Sequence, residues 1–341
     1  MTNVMTHAAG HRKGLPLSDE ECLVDLELPV PEPGPYDLLV KVKAIALNPV
    51  DHHVRGRAHP GGDARVSGWD TAGTVVAVGE KTWTFRAGDE VYYAGATDRP
   101  GTNSEYQVVD ERFVARKPVS IGFTEAAALP LSSLIAWEGL FGRLGLQRGA
   151  VEQARGALLV TAAADGVGSM VIQLAHALTS LPVIGTASRP EAVAFALRMG
   201  ADHVVDHRRP LVPQVAAVAP HGLDHVFSTT GTRRNLAAYA EALNPFGQIL
   251  AVDDVEELPI GLLKPKSISF QWDHLFARPP RSPDPTRQQY VLTQIAHLVD
   301  TGILTTPANR DLGVINAANL QEGHRLLESG DDVGKITLTG F

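Results

Sequence analysis

The spacing of hydrophobic residues changes near residue 131, and the part of the chain before this point has the spacing of strands. Short runs of alternating or β-branched residues lie there between glycine and proline. Examples are DLLVKVKAIAL (37–47), AGTVVAVGE (72–80) and DEVYYAG (89–95). Because alternation with a period of two is typical of half-buried strands, the pattern predicts an all-β region of short, twisted strands over residues 24–130.

After residue 131, short apolar runs alternate with segments of helical period. The strand-like runs are GALLVTA (156–162), PVIGTA (182–187), HVVD (203–206), DHVFSTTG (224–231) and GQILAVD (247–253). The helix-like segments between them are GSMVIQLAHALT (168–179), PEAVAFALRMG (190–200) and RRNLAAYAEAL (233–243). Strands and helices in this order predict an α/β fold, in which helices cover both faces of a parallel sheet.

The last part of the chain departs from that alternation. Two amphipathic helices are predicted over 285–302 and 319–330, followed by a strand at GKITLTG (334–340). The stretch ARPPRSPDP (277–285) is predicted to be a linker because proline and charge interrupt any hydrophobic period.

Composition and charge exclude several classes of partner. The chain has 341 residues, 44% of them hydrophobic and 20% charged, and its formal net charge is −8. An acidic chain without a basic run is not expected to bind nucleic acid or an anionic membrane. A lone cysteine, Cys22, excludes an intramolecular disulfide and a zinc site with several thiolate ligands. Neither a secretory signal nor a membrane span is recognisable, so we expect a cytoplasmic protein.

The stretch TAAADGVGS (161–169) follows the first strand of the α/β region and opens a helix. In a dinucleotide-binding loop, glycines allow the backbone to approach a pyrophosphate at the helix N-terminus. Ala163, Asp165 and Gly168 stand at the three glycine positions, and Gly166 and Val167 complete the turn. A carboxylate about 6 Å from a phosphate costs ~3 kcal/mol at an effective dielectric constant of 20, and under ~1 kcal/mol if solvated. We therefore expect a weakened cofactor loop, with a purely structural turn as the alternative.

The end of the second α/β strand bears on the choice between NAD(H) and NADP(H). NAD enzymes tend to carry Asp or Glu there, whereas this chain has Ser188 and Arg189. A hydroxyl and a cation suit a 2′-phosphate, so NADP(H) is the expected cofactor. The structural alternative, compatible with the first, is a helix with Ser188 as N-cap and Pro190 in its first turn.

Taken together, these stretches resemble the medium-chain dehydrogenase/reductase superfamily. The resemblance is carried by DLLVKVKAIALNPVDHHVRG, GWDTAGTVVAVG, RPGTNSEYQVVDERFVARKP, LPLSSLIAWEGLF, DGVGSMVIQLA and MGADHVVDHR, with GKITLTG at the end. The chain is most similar to the zinc-free quinone oxidoreductase branch and, within it, to the group called zinc-type alcohol dehydrogenase-like proteins.

The resemblance implies a GroES-like β-barrel catalytic domain, residues 1–130 and 285–341, around a Rossmann dinucleotide-binding domain, residues 131–284. It also implies a cleft between the domains and a homodimer. Members of the branch reduce quinones or α,β-unsaturated carbonyl compounds with NADPH. In zinc-dependent relatives, Cys and His stand where this chain has Asn48 and Trp69, so no metal site is expected. Thr230, by its place in the family, is expected to contact the cofactor.

The catalytic candidates lie in the stretch NPVDHH. Asn48 is expected to orient the substrate carbonyl, and Asp51 and His52 are further candidates for the chemistry. The alternatives are a plain turn at Asn48–Pro49 and a structural role for the histidine. Five further residues are predicted to line a pocket for a planar substrate: Trp69, Tyr93, Asn103, Trp272 and Phe276. The alternative for each of them is ordinary core packing.

The sequence leaves three functions open. The first is an NADPH-dependent reductase that transfers hydride to a small quinone or α,β-unsaturated carbonyl substrate without zinc. The second is a redox-inactive relative, suggested by Asp165, that acts as a cyclase, a lyase or a binding protein. The third is a zinc-dependent alcohol dehydrogenase.

Overall fold

The computed structural model describes residues 4–12, 14–56, 65–149, 156–277 and 284–341. Within them the chain forms two compact units, the first comprising Met1–Leu131 and Phe276–Phe341 and the second Ser132–Leu275. The expected first boundary at 130/131 lies one residue away, whereas the second boundary comes nine residues before the expected 284/285. Most of the predicted linker, residues 278–283, lies outside the described residues.

Sixteen strands are found in the described residues. They are β1 Met5–His11, β2 Val24–Pro29, β3 Asp37–Ala46, β4 Arg65–Val66, β5 Asp70–Val78, β6 Glu90–Ala94, β7 Tyr106–Asp110, β8 Ala115–Arg116, β9 Ala157–Val160, β10 Val183–Thr186, β11 His203–Val205, β12 Leu223–Ser228, β13 Leu243–Ala251, β14 Ser269–Trp272, β15 Ala308–Asp311 and β16 Lys335–Thr339.

The described residues also form nine α-helices. They are α1 Pro49–Arg55, α2 Phe123–Ala127, α3 Pro130–Trp137, α4 Gly166–Leu178, α5 Pro190–Arg198, α6 Leu211–Val218, α7 Thr232–Ala242, α8 Arg287–Asp300 and α9 Ala317–Ser329. A π-helical segment, Glu138–Arg143, continues α3. None of the helices in the described part of the chain is long and apolar enough to cross a membrane.

The strands of the first unit pair antiparallel, except for the parallel pair β15–β16. One sheet has the order β15-β16-β3-β5-β6-β8, with β7 also paired to β3, and a smaller sheet has the order β2-β1-β4. Strands β15 and β16 come from the end of the chain, and β16 pairs with β3 so that Leu338 lies opposite Ile45. This pairing brings the C-terminal strand beside the N-terminal half, in agreement with the GroES-like architecture that the resemblance implied.

The second unit is a parallel six-stranded sheet with the order β11-β10-β9-β12-β13-β14. Its first strand, β9, is central and fully buried, as its continuous apolar run predicted. Helices α4 and α5 connect β9 to β10 and β10 to β11, which lie on one side of β9 in the sheet. Strand β12 lies on the other side of β9, and helix α7 connects it to β13. The order changes direction between β9 and β12, which is the position where sheets of this kind bind ligands at the carboxyl ends of their strands.

The prediction of an all-β region over 24–130 was incomplete, because helices α1 and α2 lie within it. Helix α1 begins because Asn48 takes an extended conformation as N-cap, with Pro49 at the first helical position. The Asp51 carboxylate then accepts a hydrogen bond from the backbone N–H of Asn48 at 2.6 Å. A seven-residue helix is too short to show a hydrophobic period, so its capping residues were the available signal.

Candidate functional site

The loop between β9 and α4 has the form of an anion-binding helix N-terminus. The Ser169 N–H donates to the carbonyl of Asp165, so the preceding N–H groups of residues 166–168 have no acceptor within the helix. A Cβ atom on Gly168 would lie 2.1 Å from the Ala162 carbonyl oxygen, and only glycine permits this approach. Gly168 therefore packs as closely against the strand end as the third glycine of a dinucleotide-binding motif does.

Asp165 fits the loop backbone without strain. Its φ of −84° and ψ of 170° are extended, so the tolerance of aspartate for positive φ is not needed here. The left-handed residue of the loop is instead Ala162, with φ 46°. The sequence departs from the motif at Asp165, but the backbone conformation required there is open to any residue.

Asp165 is the N-cap residue of α4, but its side chain makes no capping hydrogen bond, and the residue is exposed. Desolvation by the protein around the loop raises the pKa of its carboxyl to about 6, and the charge of Arg189 acts in the opposite direction. Because the side chain keeps contact with solvent, the smaller repulsion expected at the sequence level, under ~1 kcal/mol, applies to a phosphate bound nearby.

A cavity of about 290 Å³ opens at the carboxyl ends of the strands of the second unit. Thr161, Thr186 and Thr230 line it from the ends of β9, β10 and β12. Helix α7 and the segment after β11 complete the wall with His207, Arg209, Pro210, Leu211, Arg234, Asn235, Ala238 and Tyr239. The cavity thus combines hydroxyl groups at the sheet edge with cations at the rim, a set of donors that suits a phosphorylated ligand.

Ser188 and Arg189 follow Thr186 of the cavity wall by two and three positions, but neither residue lines the cavity itself. The Ser188 carbonyl accepts a hydrogen bond from Arg208 at 2.8 Å, and the Arg189 guanidinium pairs with Glu191 at 3.3 Å. The N-cap of α5 is Arg189 rather than Ser188, which corrects the structural alternative considered above.

Two arginines after β11 were missed at the sequence level. Asp206 holds Arg208 through two hydrogen bonds of 3.1 Å, and these bonds lower the pKa of the carboxyl to about 2. Arg209 is more loosely placed, since its nearest approach to Asp206 is 3.8 Å and its side chain is 76% exposed. The run HRR (207–209) was the signal, but His207 and Arg208 were interpreted only as part of the family resemblance and Arg209 was not considered.

In the first unit, Asp70 is the centre of a buried polar network. One of its carboxylate oxygens accepts from the Leu131 N–H at 2.7 Å. The other accepts from the Asn48 amide at 2.9 Å and from the Lys335 ammonium at 2.8 Å. Lys335 also donates to the Asn48 carbonyl oxygen at 2.5 Å. We call Asn48, Asp70 and Lys335 the Asp70 network.

Asn48 is consequently held from two sides. Its side-chain oxygen is committed to Lys335 and one amide hydrogen to Asp70, while the contact with the Ala46 carbonyl is long, at 3.4 Å. The residue is 2% exposed. Sequence reasoning treated Asn48 as a free donor, whereas only the hydrogen facing Ala46 is available for a further acceptor.

Asp51 lies beside this network and is completely buried. One carboxylate oxygen accepts from the Asn48 N–H, and the other has no hydrogen-bond partner among the described residues. Burial raises the pKa of its carboxyl to about 7, the Asn48 N–H and the Lys335 charge lower it, and the Asp70 charge raises it further. Asp51 therefore shares the environment of Asn48, as expected.

His52 belongs to a different group of residues. Its pKa is lowered by burial and by His53, and its other electrostatic neighbours are Glu328 and Arg55. Arg55 in turn donates to His324 at 3.2 Å and to Glu328 at 2.7 Å. The structure brings Asn48 and Asp51 together and places His52 toward helix α9, so the three catalytic candidates do not form one group.

The predicted pocket residues also divide. The Trp69 and Phe276 rings are in contact, with centroids 5.7 Å apart. Tyr93 is buried and donates to Gln107 at 2.7 Å, which is a structural role. The Trp69 indole N–H and the Asn103 side-chain oxygen are buried without a hydrogen-bond partner among the described residues. Trp272 belongs to the other unit, where it is 46% exposed and contacts Phe270.

The residues at the expected zinc positions do not fit the metal. The Asn48 oxygen faces the Lys335 ammonium, and the Trp69 indole is only a donor. A divalent cation there would lie beside a lysine charge and would have neither thiolate nor imidazole ligands. Throughout the described ranges, no group of three or more His, Cys, Asp or Glu side chains is arranged to hold a metal ion.

Comparison with known proteins agrees with this architecture. The family described as "Alcohol dehydrogenase GroES-like domain" matches residues 34–119, and that described as "Zinc-binding dehydrogenase" matches residues 166–271. The "Zinc-type alcohol dehydrogenase-like protein SAS2087" of Staphylococcus aureus (strain MSSA476) is 34% identical over 331 residues, covering 96% of this chain and 98% of that protein.

Two further relatives match different fractions of this chain. A crystal structure from Rhizobium etli CFN 42, of a candidate zinc-dependent alcohol dehydrogenase, superposes with a TM-score of 0.95 at 44% identity, covering 99% of both chains. The 2-methylene-furan-3-one reductase of Solanum lycopersicum is 35% identical over 211 residues, which are 59% of this chain and 52% of that protein.

Proposed function

Because the chain belongs to the medium-chain dehydrogenase/reductase superfamily, we propose that it is an NADPH-dependent reductase of quinones or α,β-unsaturated carbonyl compounds that works without zinc. The observation that carries this proposal is the nucleotide site of the second unit. There, a loop in which Asp165 takes an unstrained backbone conformation precedes an open helix N-terminus, at the same sheet edge as a cavity rimmed by arginines. The similarity to a reductase of a conjugated ketone supports the substrate class.

The chain's own residues would hold the cofactor at two places. The N–H groups of residues 166–168 would bind the pyrophosphate, helped by the dipole of the 13-residue helix α4. Ser188, Arg189 and Arg209 would bind the 2′-phosphate, and Asp206 keeps Arg208 in place behind them. Thr230 lines the cavity from the end of β12, on the other side of β9 from Ser188 and Arg189, and would contact the cofactor there.

Bound NADPH would supply a hydride, and the protein would have to stabilise the negative charge that then develops on the substrate. Addition of hydride to the β-carbon of an enone moves an electron pair onto the carbonyl oxygen. The Asn48 hydrogen that faces Ala46 and the unpartnered Trp69 indole N–H are the donors of the first unit that could receive that oxygen. Lys335 and Asp70 hold the Asn48 amide in the orientation that this requires.

The absence of zinc from this proposal follows from the ligand positions. A zinc-dependent alcohol dehydrogenase uses the metal as a Lewis acid on the substrate oxygen, and here the Asn48 side chain at the corresponding position is bound to the Lys335 ammonium. Reduction of a conjugated double bond does not need that Lewis acid, because the enolate charge is delocalised. The residues around Asn48 are therefore compatible with a reduction that uses no metal.

The test is titration with NADPH and NADH, followed by cofactor oxidation with a small quinone, an enone and a saturated aldehyde. We expect NADPH to bind at least tenfold more tightly than NADH, because one charge-assisted contact to the 2′-phosphate is worth about 1.5–3 kcal/mol. Quinone or enone should be reduced, and the aldehyde should not. Failure of NADPH to bind at millimolar concentration would favour the redox-inactive alternative that Asp165 suggests, and zinc-dependent aldehyde reduction would favour the alcohol dehydrogenase.

The resemblance also implies a homodimer, which we include in the proposal. The outer strand of the parallel sheet, β14, carries the exposed Trp272 and is the natural place for a second copy to pair. Light scattering at micromolar concentration should give twice the mass of 36.4 kDa, and a monomer would remove this part of the proposal.

A further inference from the structure

Three ionisable groups are buried together at the Asn48 site, and their charges do not balance. Asp51 and Asp70 are completely buried and Lys335 is 4% exposed. With both carboxyl groups ionised, two negative charges would face one positive charge in the interior. An uncompensated buried charge is strongly unfavourable, so one of the two carboxyl groups should hold its proton to a higher pH than a carboxyl group in water does.

The hydrogen bonds indicate which carboxyl carries the proton. Both oxygens of Asp70 are occupied, one by the Leu131 N–H and the other by Asn48 and Lys335, and these donors favour its ionised form. Asp51 accepts a bond from the Asn48 N–H on one oxygen, and its other oxygen has no partner among the described residues. The raised pKa of Asp51, with burial as its first cause, agrees with this assignment.

The other charged groups around helix α1 are paired with one another. Arg55, one turn beyond Asp51, is buried and bound by Glu328 and His324 of helix α9. His324 remains neutral because burial and the Arg55 charge lower its pKa to about 3. His52 on α1 faces the same group and is likewise shifted toward its neutral form. Asp70 from β5 and Lys335 from β16 are thus the charges that balance against Asp51.

We propose that Asp51 controls the charge of the substrate site: as the neutral acid it leaves a balanced Lys335–Asp70 pair beside Asn48, and as the carboxylate it makes the site net negative. This inference rests on the proposed reductase function. Hydride addition to the β-carbon places negative charge on the carbonyl oxygen, and the resulting enolate then takes a proton from solvent at the α-carbon. A site that is already negative opposes the first of these steps, so hydride transfer slows when Asp51 ionises.

Asp51 acts through Asn48 and is therefore a positioning residue. The test compares kcat and KM from about pH 6 to about pH 9, at saturating NADPH, for the wild type, Asp51→Asn and Glu328→Gln. The asparagine keeps an oxygen for the Asn48 N–H but cannot ionise. The control variant Glu328→Gln changes a different carboxylate near helix α1. Glu328 is bound by Arg55 of that helix and lies outside the Asp70 network.

We expect the wild-type kcat to fall roughly tenfold across this range, the effect of one charge about 10 Å away at an effective dielectric constant of about 20. KM should change little, Asp51→Asn should show no such fall, and Glu328→Gln should retain it. An Asp51→Asn profile that follows the wild type would overturn the proposal.

A second measurement does not depend on catalysis. The infrared difference spectrum between wild type and Asp51→Asn should contain a protonated carboxyl band that disappears as the pH rises through about 7. The melting temperature of Asp51→Asn should also rise relative to wild type between about pH 4 and pH 7, because the folded wild type holds a proton there that the unfolded chain releases. A carboxyl already ionised at about pH 5 would overturn the charge assignment. A titrating band in a protein that reduces no quinone or enone would instead overturn the proposed function, and the rate effect with it.

Discussion

The two units use charge in opposite ways. At the proposed nucleotide site of the second unit, the Arg208 and Arg209 side chains are exposed, at 63% and 76%. At the Asn48 site of the first unit, Asp51 and Asp70 are completely buried and Lys335 nearly so. Exposed charges can be exchanged at little cost to folding, whereas buried ones need all of their partners. Substitutions at the proposed nucleotide site should therefore alter the affinity for the cofactor, and substitutions in the Asp70 network should alter the free energy of unfolding.

The largest effect is expected from Lys335→Met. This change leaves the buried Asp70 carboxylate without its ammonium partner, which should lower the free energy of unfolding by about 3–5 kcal/mol. Urea denaturation at neutral pH measures it. The matched control is Lys41→Met, because Lys41 pairs with Glu105 at the surface at 3.5 Å and should cost under ~1 kcal/mol.

The double variant Asp70→Asn/Lys335→Met sharpens this result. Removing both charges should recover part of the stability lost in Lys335→Met, since no unpaired charge remains in the interior. If Lys335→Met alone were as stable as the Lys41→Met control, the contrast between the two units would not hold.

A smaller effect, on affinity, is expected from Gly168→Ala. The new methyl group would meet the Ala162 carbonyl oxygen at 2.1 Å, so the loop has to move away from the position that holds the pyrophosphate. NADPH affinity should fall about 30- to 100-fold, or about 2–3 kcal/mol, by calorimetric titration. Gly261→Ala is the control, because a methyl group there meets no atom within 4 Å and should leave the affinity unchanged. Unchanged binding by Gly168→Ala would mean that this loop does not hold the cofactor.

Removal of one rim cation should separate the two cofactors. Arg209→Ala is expected to weaken NADPH about tenfold and to leave NADH unaffected, because the 2′-phosphate is the group that differs between them. Arg233→Ala, on the same helix as Arg234 but absent from the cavity wall, should change neither. Equal losses for NADPH and NADH would assign Arg209 to a part of the cofactor that both share.

The smallest effect is expected at Asp165. Asp165→Asn removes one exposed negative charge near the pyrophosphate, so NADPH should bind a few-fold more tightly at low salt and neutral pH. Wild-type affinity should rise as the pH falls through about 6, where the Asp165 carboxyl takes up its proton, and the variant should lack this dependence. A gain in NADPH affinity above about thirtyfold would contradict a solvated Asp165 carboxylate and would favour the redox-inactive alternative.

The local structure of the proposed nucleotide site was largely predictable from the sequence because its determinants are local. The strand β9, the turn and helix α4 follow one another within residues 157–178, and the close approach to the Ala162 carbonyl oxygen explains Gly168. Arg209 could have been added from the run HRR. What the sequence alone could not tell was the backbone conformation at Asp165, which decides whether its side chain obstructs the loop.

The Asn48 site was only partly predictable because its determinants are distant. Lys335 meets Asp70 and Asn48 across 265 and 287 residues of chain. The stretch GKITLTG was interpreted as a strand and as part of the family resemblance, and Lys335 was given no role. His52 was grouped with Asn48 because the two are close in sequence, but helix α1 turns it toward α9. A lysine in a strand that is otherwise buried was the available signal, since such a residue requires an acidic partner.

The most direct test is the crystal structure of the chain grown with saturating NADPH. We expect the pyrophosphate against the N–H groups of residues 166–168 and the 2′-phosphate within hydrogen-bond distance of Ser188, Arg189 or Arg209. Asp165 should point away from the diphosphate into solvent. An empty loop, or a loop closed by the Asp165 carboxylate itself, would contradict the reductase and leave the fold as the part that stands.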